Sequence, residues 1–470
     1  MSLLSITATD SQCISGVSAD SRVAQALGIA HQQAITAVTA QGLDRAVESF
    51  AIPAHKVAAQ IARANAKAVR LGVVASRAQA KMLRAELAKL DAIKVWDPVL
   101  FASAGGELTA IEHGDAIALA QQCDLITPNI DEAQWLAQQS IANEADMLAA
   151  AKKISSWKIR GVLIKAGHLA GEVNKDLLLL DGEHYWLEQP KLANSARATG
   201  CTLAAYIAAF CAYGEPLKDA VALANAALFS GLKQTTHASL PVKVIGWPNQ
   251  LDDFACIYRE QKPNTNFVSI EQALGLYPVV DSVEWVSKLA KAGVKTIQLR
   301  IKDVPEDVIE QAVIDCVQIQ QQYDLRLFIN DYWQLAIKHK AYGVHLGQED
   351  IQEATLSQIA DAGVHLGIST HGELEWGIAR AYQPSYLAIG AIYPTDTKEV
   401  VVVGEERLQR WVHLLSKRHR LTAIGGINLS NLATVLSTSI DSVAVVSAIT
   451  KAEDWQQAVL ELQAMLKEAC

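Results

Sequence analysis

VKTIQLR (294–300), LRLFIND (325–331) and YGVHLGQ (342–348) are three consecutive apolar runs, and each one ends in polar residues. Amphipathic stretches separate them, with apolar residues recurring at intervals of three and four. The C-terminal half contains five further runs of the same form: LYPVV (276–280), VHLGIST (364–370), YLAIGAI (386–392), LTAIGGI (421–427) and DSVAVVS (441–447). Strands that alternate with helices pair in parallel, and eight such units can close a sheet on itself. The pattern predicts a (β/α)8 TIM barrel with its site at the carboxyl ends of the strands.

The chain has 470 residues, which is too long for one ordinary hydrophobic core. The segment YREQKPNTNFV (258–268) interrupts the apolar periodicity with polar residues, proline and asparagine. We therefore expect two domains, at 1–262 and 263–470.

The first domain is also expected to be α/β. LLLLDGEHYWLEQPKL (177–192) has the form of a β-hairpin that turns at DGE. Strands are predicted at LGVVAS (71–76), IKVWDPVL (93–100), DLITPN (124–129) and GVLIKAGH (161–168).

Composition excludes several classes of function. Half of the residues are hydrophobic and 19% are charged, as in ordinary globular proteins, and a formal net charge of −9 argues against a nucleic-acid partner. No apolar stretch approaches the roughly 20 residues that span a bilayer, and MSLLSITATD does not resemble a signal peptide. We expect a cytoplasmic protein with no membrane partner. The seven cysteines lack the spacing of a disulfide framework or zinc site.

Polar side chains at the predicted strand ends define a candidate site in the barrel. Gln298, Arg300 and Lys302 share one side of a strand and its end, where they suit an anionic ligand. Asp331 and Asp350 follow the next two strands, and Mg2+ typically takes one or two carboxylates together with phosphate oxygens. Solvated charges and helix N-caps are the alternative roles for such residues.

The loops after the last three strands are suited to phosphate. IYPTDTK (392–398) is rich in hydroxyl groups, IGGI (424–427) precedes a helix, and VVSAI (445–449) ends the eighth strand. In many barrels the loops after strands seven and eight bind phosphate through backbone N–H groups, and glycine lets the backbone approach closely. A pair of glycines alone is more typical of a simple turn.

Taken together, residues 275–468 resemble the thiamine phosphate synthase family. The strings QLRIK, IND, GVHLGQED, GISTH, AIGAIYPTDTK, AIGGI and VVSAI stand in the order of that family, at its strand ends. The resemblance implies a Mg2+-dependent transferase whose small-molecule substrates are hydroxymethylpyrimidine diphosphate and thiazole phosphate. Diphosphate would leave to give a pyrimidine cation, a step that needs charge neutralisation and positioning but no protein nucleophile.

The same resemblance implies a role for each matched residue. The pyrimidine diphosphate would be held by Gln298, Arg300, Lys302 and Asn330, and Mg2+ by Asp331 and Asp350. Diphosphate oxygens would contact Ser369 and Lys398, and the catalytic cations would be Arg300, Lys302 and Lys398. The thiazole phosphate would be bound by Thr395, Thr397, Gly426, Val446 and Ser447.

Residues 1–235 resemble the ribokinase-type hydroxymethylpyrimidine phosphate kinases. The matching strings are ITAVTAQ (35–41), WDPVL (96–100), ITPNIDEAQWL (126–136), VLIKAGHL (162–169) and TGCTLAAYIAAF (199–210). The resemblance implies ATP as cosubstrate and a role for six residues: Gln41 on the pyrimidine, Asn129 and Glu132 on Mg–ATP, Lys165 near phosphates, Gly200 in the anion hole and Cys201 beside the substrate hydroxyl. A helix N-terminus can lower the pKa of a thiol such as Cys201, whereas an inert buried thiol is the alternative.

The first domain departs from the kinase pattern at two places. Cys13 and Ile14 replace paired glycines, and Arg197 and Ala198 replace a His-Gly approach to the anion hole. We expect Cys13 and Ile14 to crowd the substrate or to deny the backbone positive φ angles, and the Cβ of Ala198 to close the space that a transferring phosphate needs. Three alternatives therefore stay open for this domain: an active kinase, a degenerate site that binds pyrimidine or nucleotide, and a support for folding. A non-catalytic sensor of thiamine precursors is the rival for the whole chain, and a homo-oligomer is left open.

Overall fold

The structure, a computed structural model, describes residues 1–40, 48–100, 109–167, 171–395 and 401–469. The chain divides into two compact units, Met1–Lys262 and Pro263–Cys470. Within the described residues, no helix is both long enough and apolar enough to cross a bilayer. None of the six described cysteines forms a disulfide.

The first unit is built on one sheet. Its strands are β1 (Ser2–Asp10), β2 (Ala30–Ala40), β3 (Glu48–Ala51), β4 (Ala68–Leu71), β5 (Ile93–Trp96), β6 (Leu125–Ile126), β7 (Gly161–Ile164), β8 (Val173–Leu180), β9 (Glu183–Pro190) and β10 (Cys256–Tyr258). They lie in the order β10-β9-β8-β7-β6-β5-β4-β1-β2-β3. The strands from β7 to β2 pair in parallel, and antiparallel strands extend the sheet at both edges.

Helices connect many of these strands along the chain. They are α1 (Val17–Leu27), α2 (Ala54–Ile61), α3 (Arg77–Leu87), α4 (His113–Ala120), α5 (Ile130–Ala137), α6 (Glu144–Ser155), α7 (Thr199–Tyr213) and α8 (Leu217–Gln234), with a 3-10 turn at Leu251–Asp253. From Thr202 to Ala212 every residue of α7 is buried, as its alanine-rich apolar sequence predicts.

Two sequence predictions for this unit have opposite outcomes. The hairpin predicted at 177–192 is confirmed, because β8 and β9 pair antiparallel with Leu180 opposite Glu183. The strand predicted at 71–76 is wrong, since the strand lies at Ala68–Leu71. Arg70 interrupts the apolar run in the sequence, but its fully buried guanidinium is paired with carboxylates, so the strand includes it.

The second unit is a closed parallel barrel, which confirms the predicted (β/α)8 fold. Its strands are β11 (Gly275–Val280), β12 (Thr296–Leu299), β13 (Arg326–Asn330), β14 (Gly343–Leu346), β15 (His365–Thr370), β16 (Tyr386–Ile389), β17 (Leu421–Ile424) and β18 (Ser442–Val445). Its helices are α9 (Val283–Lys291), α10 (Glu306–Tyr323), α11 (Trp333–His339), α12 (Asp350–Glu353), α13 (Leu356–Asp361), α14 (Glu373–Ala381), α15 (Gly404–Leu415), α16 (Leu432–Leu436), α17 (Ser447–Thr450) and α18 (Trp455–Ala469).

Aromatic side chains fill the interior of the barrel. Tyr277, Phe328 and Tyr386 are each at most 1% exposed, and the rings of Phe328 and Tyr386 meet edge to face at 5.3 Å. Gly367 on β15 makes room for them, because a Cβ there would lie 2.2 Å from ring carbons of Tyr386. The glycine is therefore required by close packing.

Candidate functional site

Two carboxylates lie together at the carboxyl ends of β13 and β14. Asp331 follows β13 with a φ of 64°, and Asp350 begins α12 and accepts the N–H of Gly347 at 3.0 Å. Burial and the negative charge of Asp350 raise the pKa of Asp331, while Lys302, at 3.5 Å, opposes the shift. A divalent cation would relieve the repulsion between the two carboxylates, so the pair fits Mg2+.

Water and substrate oxygens are suitable further ligands for such a cation. In the described ranges, no group of three or more His, Cys, Asp or Glu side chains is placed to hold a metal ion. Mg2+ commonly keeps several waters and binds one or two carboxylates plus substrate phosphates.

The polar residues around β12 and β13 lie at the same mouth. Gln298 is 4% exposed and Asn330 is 6% exposed, so both side chains belong to the barrel interior. Arg300 follows β12, and Lys302 is exposed beside Asp331. The hydrogen-bonding groups are thus buried in the barrel interior, and cationic side chains follow at the strand end. A heterocycle that carries an anionic tail would need this arrangement for its recognition.

A line of hydrogen-bonded side chains, here named the relay, crosses the barrel interior and joins two of the predicted residues. It consists of Gln298, Tyr277, Tyr386, His345 and Ser369. The three central members were not singled out from the sequence. The signal was a histidine inside GVHL and tyrosines inside apolar strands, which read as ordinary core positions.

The remaining barrel residues belong to the loops after β16, β17 and β18. Gly426 has a φ of 66°, and a Cβ there would lie 2.6 Å from the carbonyl oxygen of Pro394, so both backbone conformation and space require glycine. Val446 precedes α17 and Ser447 is its first residue, and Thr395 is half-buried after β16. Thr397 and Lys398 lie outside the described residues.

The first unit contains a cavity of about 550 Å³ at the ends of its parallel strands. Five of the residues predicted for this unit line it: Asn129, Glu132, Lys165, Gly200 and Cys201. Gln41 lies outside the described residues. Residues far apart in the sequence therefore share one concave surface, the usual form of a small-molecule site.

A buried ionic cluster forms one wall of this cavity. Asp97 contacts Lys165 at 2.8 Å and Arg70 at 2.9 Å. Burial acts to raise the pKa of Asp97, but the two cations outweigh it and lower that pKa below its ordinary value. Burial raises the pKa of Glu132 to about 7. Asp97 lies in the matched string WDPVL, but no role for it was predicted from the sequence. Its position directly after a strand could have indicated a functional residue.

Asn129 and Glu132 also have a structural role. The side chain of Asn129 accepts the N–H of Glu132, and the carboxylate of Glu132 accepts the N–H of Asn129, both at 2.9 Å. This reciprocal capping box fixes the start of α5. The pair would meet a nucleotide only through the atoms that remain free at the cavity surface.

The backbone at two of the substituted positions has a positive φ. Cys13 and Ala198 adopt φ angles of 55° and 59°, so the Cys13 side chain does not deny the backbone a positive φ; such a conformation costs roughly 1–2 kcal/mol per residue. Arg22 helps to hold the first of these loops by donating to the carbonyls of Cys13 and Ile14. The pKa of Cys201 is raised by burial rather than lowered at the helix start, although Arg70 opposes the effect.

Each unit matches a family model. Residues 276–449 match the thiamine monophosphate synthase family model, and residues 10–242 match the phosphomethylpyrimidine kinase model. The thiamine-phosphate synthase of Photorhabdus laumondii is 52% identical over 202 residues, which cover 43% of this chain and 93% of the relative.

Two solved structures are similar to one unit each. A thiamine phosphate pyrophosphorylase from Pyrococcus furiosus has 33% identity and a TM-score of 0.39, covering 42% of this chain and 96% of its own. A phosphomethylpyrimidine kinase from Clostridium difficile has 28% identity and a TM-score of 0.42, and the match covers 47% of this chain and 94% of the kinase. On the identity and coverage of its curated relative, the chain belongs to the thiamine-phosphate synthase family, and its first unit is similar to the ribokinase-like phosphomethylpyrimidine kinases.

Proposed function

We propose that the second unit condenses hydroxymethylpyrimidine diphosphate with thiazole phosphate, giving thiamine phosphate and diphosphate in thiamine biosynthesis. The observation that carries the proposal is the pairing of Asp331 with Asp350 beside Lys302, at the end of a barrel of this family. The arrangement concentrates positive charge and cation ligands where a diphosphate leaving group would lie.

The reaction breaks the bond between the pyrimidine methylene carbon and a diphosphate oxygen, and the electron pair leaves with diphosphate. The thiazole nitrogen then donates its lone pair to that carbon and forms the new C–N bond. The side chains of Arg300, Lys302 and Lys398 stabilise charge on the departing diphosphate. Asp331 and Asp350 would hold Mg2+, which when bound neutralises charge on the diphosphate oxygens.

The other residues position the two heterocycles. Gln298 and Asn330 bind the pyrimidine end, and Ser369 donates a hydrogen bond to the diphosphate. The thiazole phosphate would be bound by Thr395, Thr397, Gly426, Val446 and Ser447. Holding both substrates in line replaces a bimolecular encounter with an oriented one, which can supply much of the rate.

For the first unit we propose phosphorylation of hydroxymethylpyrimidine phosphate by Mg–ATP in the described cavity. The supporting observation is that Lys165, Asp97 and Gly200 converge there: a Cβ on Gly200 would lie 3.0 Å from the Lys165 ammonium. The second supporting observation is that Ala198 reaches the left-handed conformation without glycine. Both reactions would take place in the cytoplasm.

Two assays on the full chain test these proposals. Purified protein receives pyrimidine diphosphate, thiazole phosphate and Mg2+, and thiamine phosphate is measured; saturable binding of both precursors without product would favour the sensor alternative. In the second assay, pyrimidine monophosphate and ATP replace the diphosphate. Coupled product would support the kinase, binding without coupled product would indicate a degenerate site, and absence of binding would leave a role in folding.

A further inference from the structure

The relay spans the barrel through five side chains that come from five different strands. Its four hydrogen bonds measure 3.2 Å from Gln298 Nε2 to Tyr277 Oη, 2.9 Å from Tyr277 Oη to Tyr386 Oη, 2.7 Å from Tyr386 Oη to His345 Nδ1, and 2.8 Å from His345 Nε2 to Ser369 Oγ. It therefore joins a residue proposed to bind the pyrimidine to one proposed to bind the diphosphate.

The number of available protons gives the relay a direction. Each hydroxyl has one proton, and a neutral imidazole has one N–H, so the direction of one hydrogen bond sets the next. A diphosphate oxygen can only accept, and a Ser369 hydroxyl that donates to it must accept from Nε2–H of His345. Nδ1 of His345 then accepts from Tyr386. Tyr386 in turn accepts from Tyr277, whose oxygen is left to accept the amide N–H of Gln298.

We propose that the relay is a specificity device: binding of an anionic oxygen at Ser369 obliges Gln298 to present its carbonyl oxygen to the pyrimidine. That oxygen accepts a hydrogen bond, so it selects a ring that carries an exocyclic amine over one that carries a carbonyl. Tyr277, Tyr386 and His345 are positioning residues, since they act through Gln298 and Ser369. The inference rests on the proposed function of the barrel.

Three features of the site support a single direction. His345 is 7% exposed, and its two ring nitrogens face the hydroxyl oxygens of Tyr386 and Ser369, each of which can donate or accept as the direction requires. Tyr277 and Tyr386 are fully or almost fully buried, so water does not substitute for a missing partner. The hydrogen bond from the Gln298 amide nitrogen to Tyr277 has the direction that the proton count requires.

The test compares two ligands on the full chain in the presence of Mg2+. One is the aminopyrimidine diphosphate, and the other is its pyrimidinone analogue, in which a carbonyl oxygen replaces the exocyclic amine. Calorimetric titration gives a dissociation constant for each. Wild-type protein should bind the amine about 10- to 100-fold more tightly, since the wrong ligand sets one acceptor against another.

Cutting the relay should reduce this preference. In Tyr386→Phe and in Tyr277→Phe the Gln298 amide can turn over independently of Ser369, and the ratio of the two dissociation constants should fall at least about tenfold toward one. The double variant should be no worse than either single variant, because all three break the same line. Tyr342→Phe is the matched control: its ring packs on Phe328 at 5.5 Å but lies outside the relay, so the ratio should not change.

A second measurement does not depend on turnover or on the variants folding. Nitrogen-15 shifts of His345 in the full chain with the aminopyrimidine diphosphate bound should show a neutral ring protonated at Nε2. Protonation at Nδ1, or an equal loss of affinity for both pyrimidines in the tyrosine variants, would overturn the inference. These readouts remain valid if the protein makes no thiamine phosphate, so failure of the relay is distinguishable from failure of the synthase proposal.

Discussion

Replacement of Gly367 by alanine should displace the Tyr386 ring and break its hydrogen bonds at the centre of the barrel. The added Cβ would lie 2.2 Å from two ring carbons of Tyr386 and 2.4 Å from its hydroxyl oxygen, whereas carbon atoms make favourable contact at about 3.5–4.0 Å. The ring must therefore move by more than about 1 Å. Such a shift cannot keep both the 2.7 Å bond to His345 and the 2.9 Å bond to Tyr277.

The expected loss of stability follows from these contacts. Overpacking costs about 1–3 kcal/mol, and two buried hydrogen bonds contribute about 1 kcal/mol each. The free energy of unfolding of the second unit should therefore fall by about 3–5 kcal/mol, a large share of the 5–15 kcal/mol typical of a domain. Thiamine phosphate synthesis should fall with it, because Gln298 and Ser369 lose their common support.

Urea titration followed by tryptophan fluorescence and circular dichroism measures the loss, with the two units followed as separate transitions. Gly363→Ala is the matched control in the same unit: its φ is +69° but nothing lies within 4 Å of the added Cβ, so only about 1 kcal/mol of backbone strain is expected. If Gly367→Ala matched this control in stability and activity, the packing argument would be refuted.

Three further outcomes are expected. Asp331→Ala should reduce thiamine phosphate synthesis at least about 100-fold while the far-ultraviolet circular dichroism stays unchanged, because several kcal/mol of leaving-group stabilisation is lost; near-normal turnover would contradict the metal role. Glu132→Gln should stabilise the first unit more at pH 8 than at pH 5, as measured by thermal unfolding. The Glu132 carboxyl has a folded pKa of about 7, so it destabilises the fold progressively as the pH rises from its unfolded pKa through 7. If the variant and the wild type showed the same dependence of stability on pH, the raised pKa would be excluded. Cys201 should react with iodoacetamide more slowly than the exposed Cys13, as followed by mass spectrometry, since burial raises the Cys201 pKa; faster reaction at Cys201 would contradict the assignment.

Local pattern was sufficient for most of the barrel. Each strand is a short apolar run, and in each helix apolar residues recur at intervals of three and four. Both patterns can therefore be recognised in a short window of sequence. The polar residues that end each run also follow from local order, since parallel strands bring their carboxyl ends to one mouth. The same reasoning placed Asp331 and Asp350 on neighbouring strand ends, and the structure has them side by side.

The partners of buried polar residues could not be predicted from the local sequence pattern. The strand at Ala68–Leu71 was misplaced to 71–76, because Asp97, the partner that lets Arg70 be buried within it, lies 27 positions further along the chain. Loop conformation could not be predicted from local sequence either: the positive φ of Cys13 lies in a loop whose carbonyls accept hydrogen bonds from the Arg22 side chain.

By itself, the sequence determined the class of each unit and the chemical character of the barrel mouth, because periodicity and strand-end polarity are properties of neighbouring residues. Only the tertiary structure decided that the hydroxyl of Tyr277 is hydrogen-bonded to that of Tyr386, 109 residues away. Closure of the barrel brings these hydroxyls together, and a polar group inside a core is stable only when such a partner is supplied.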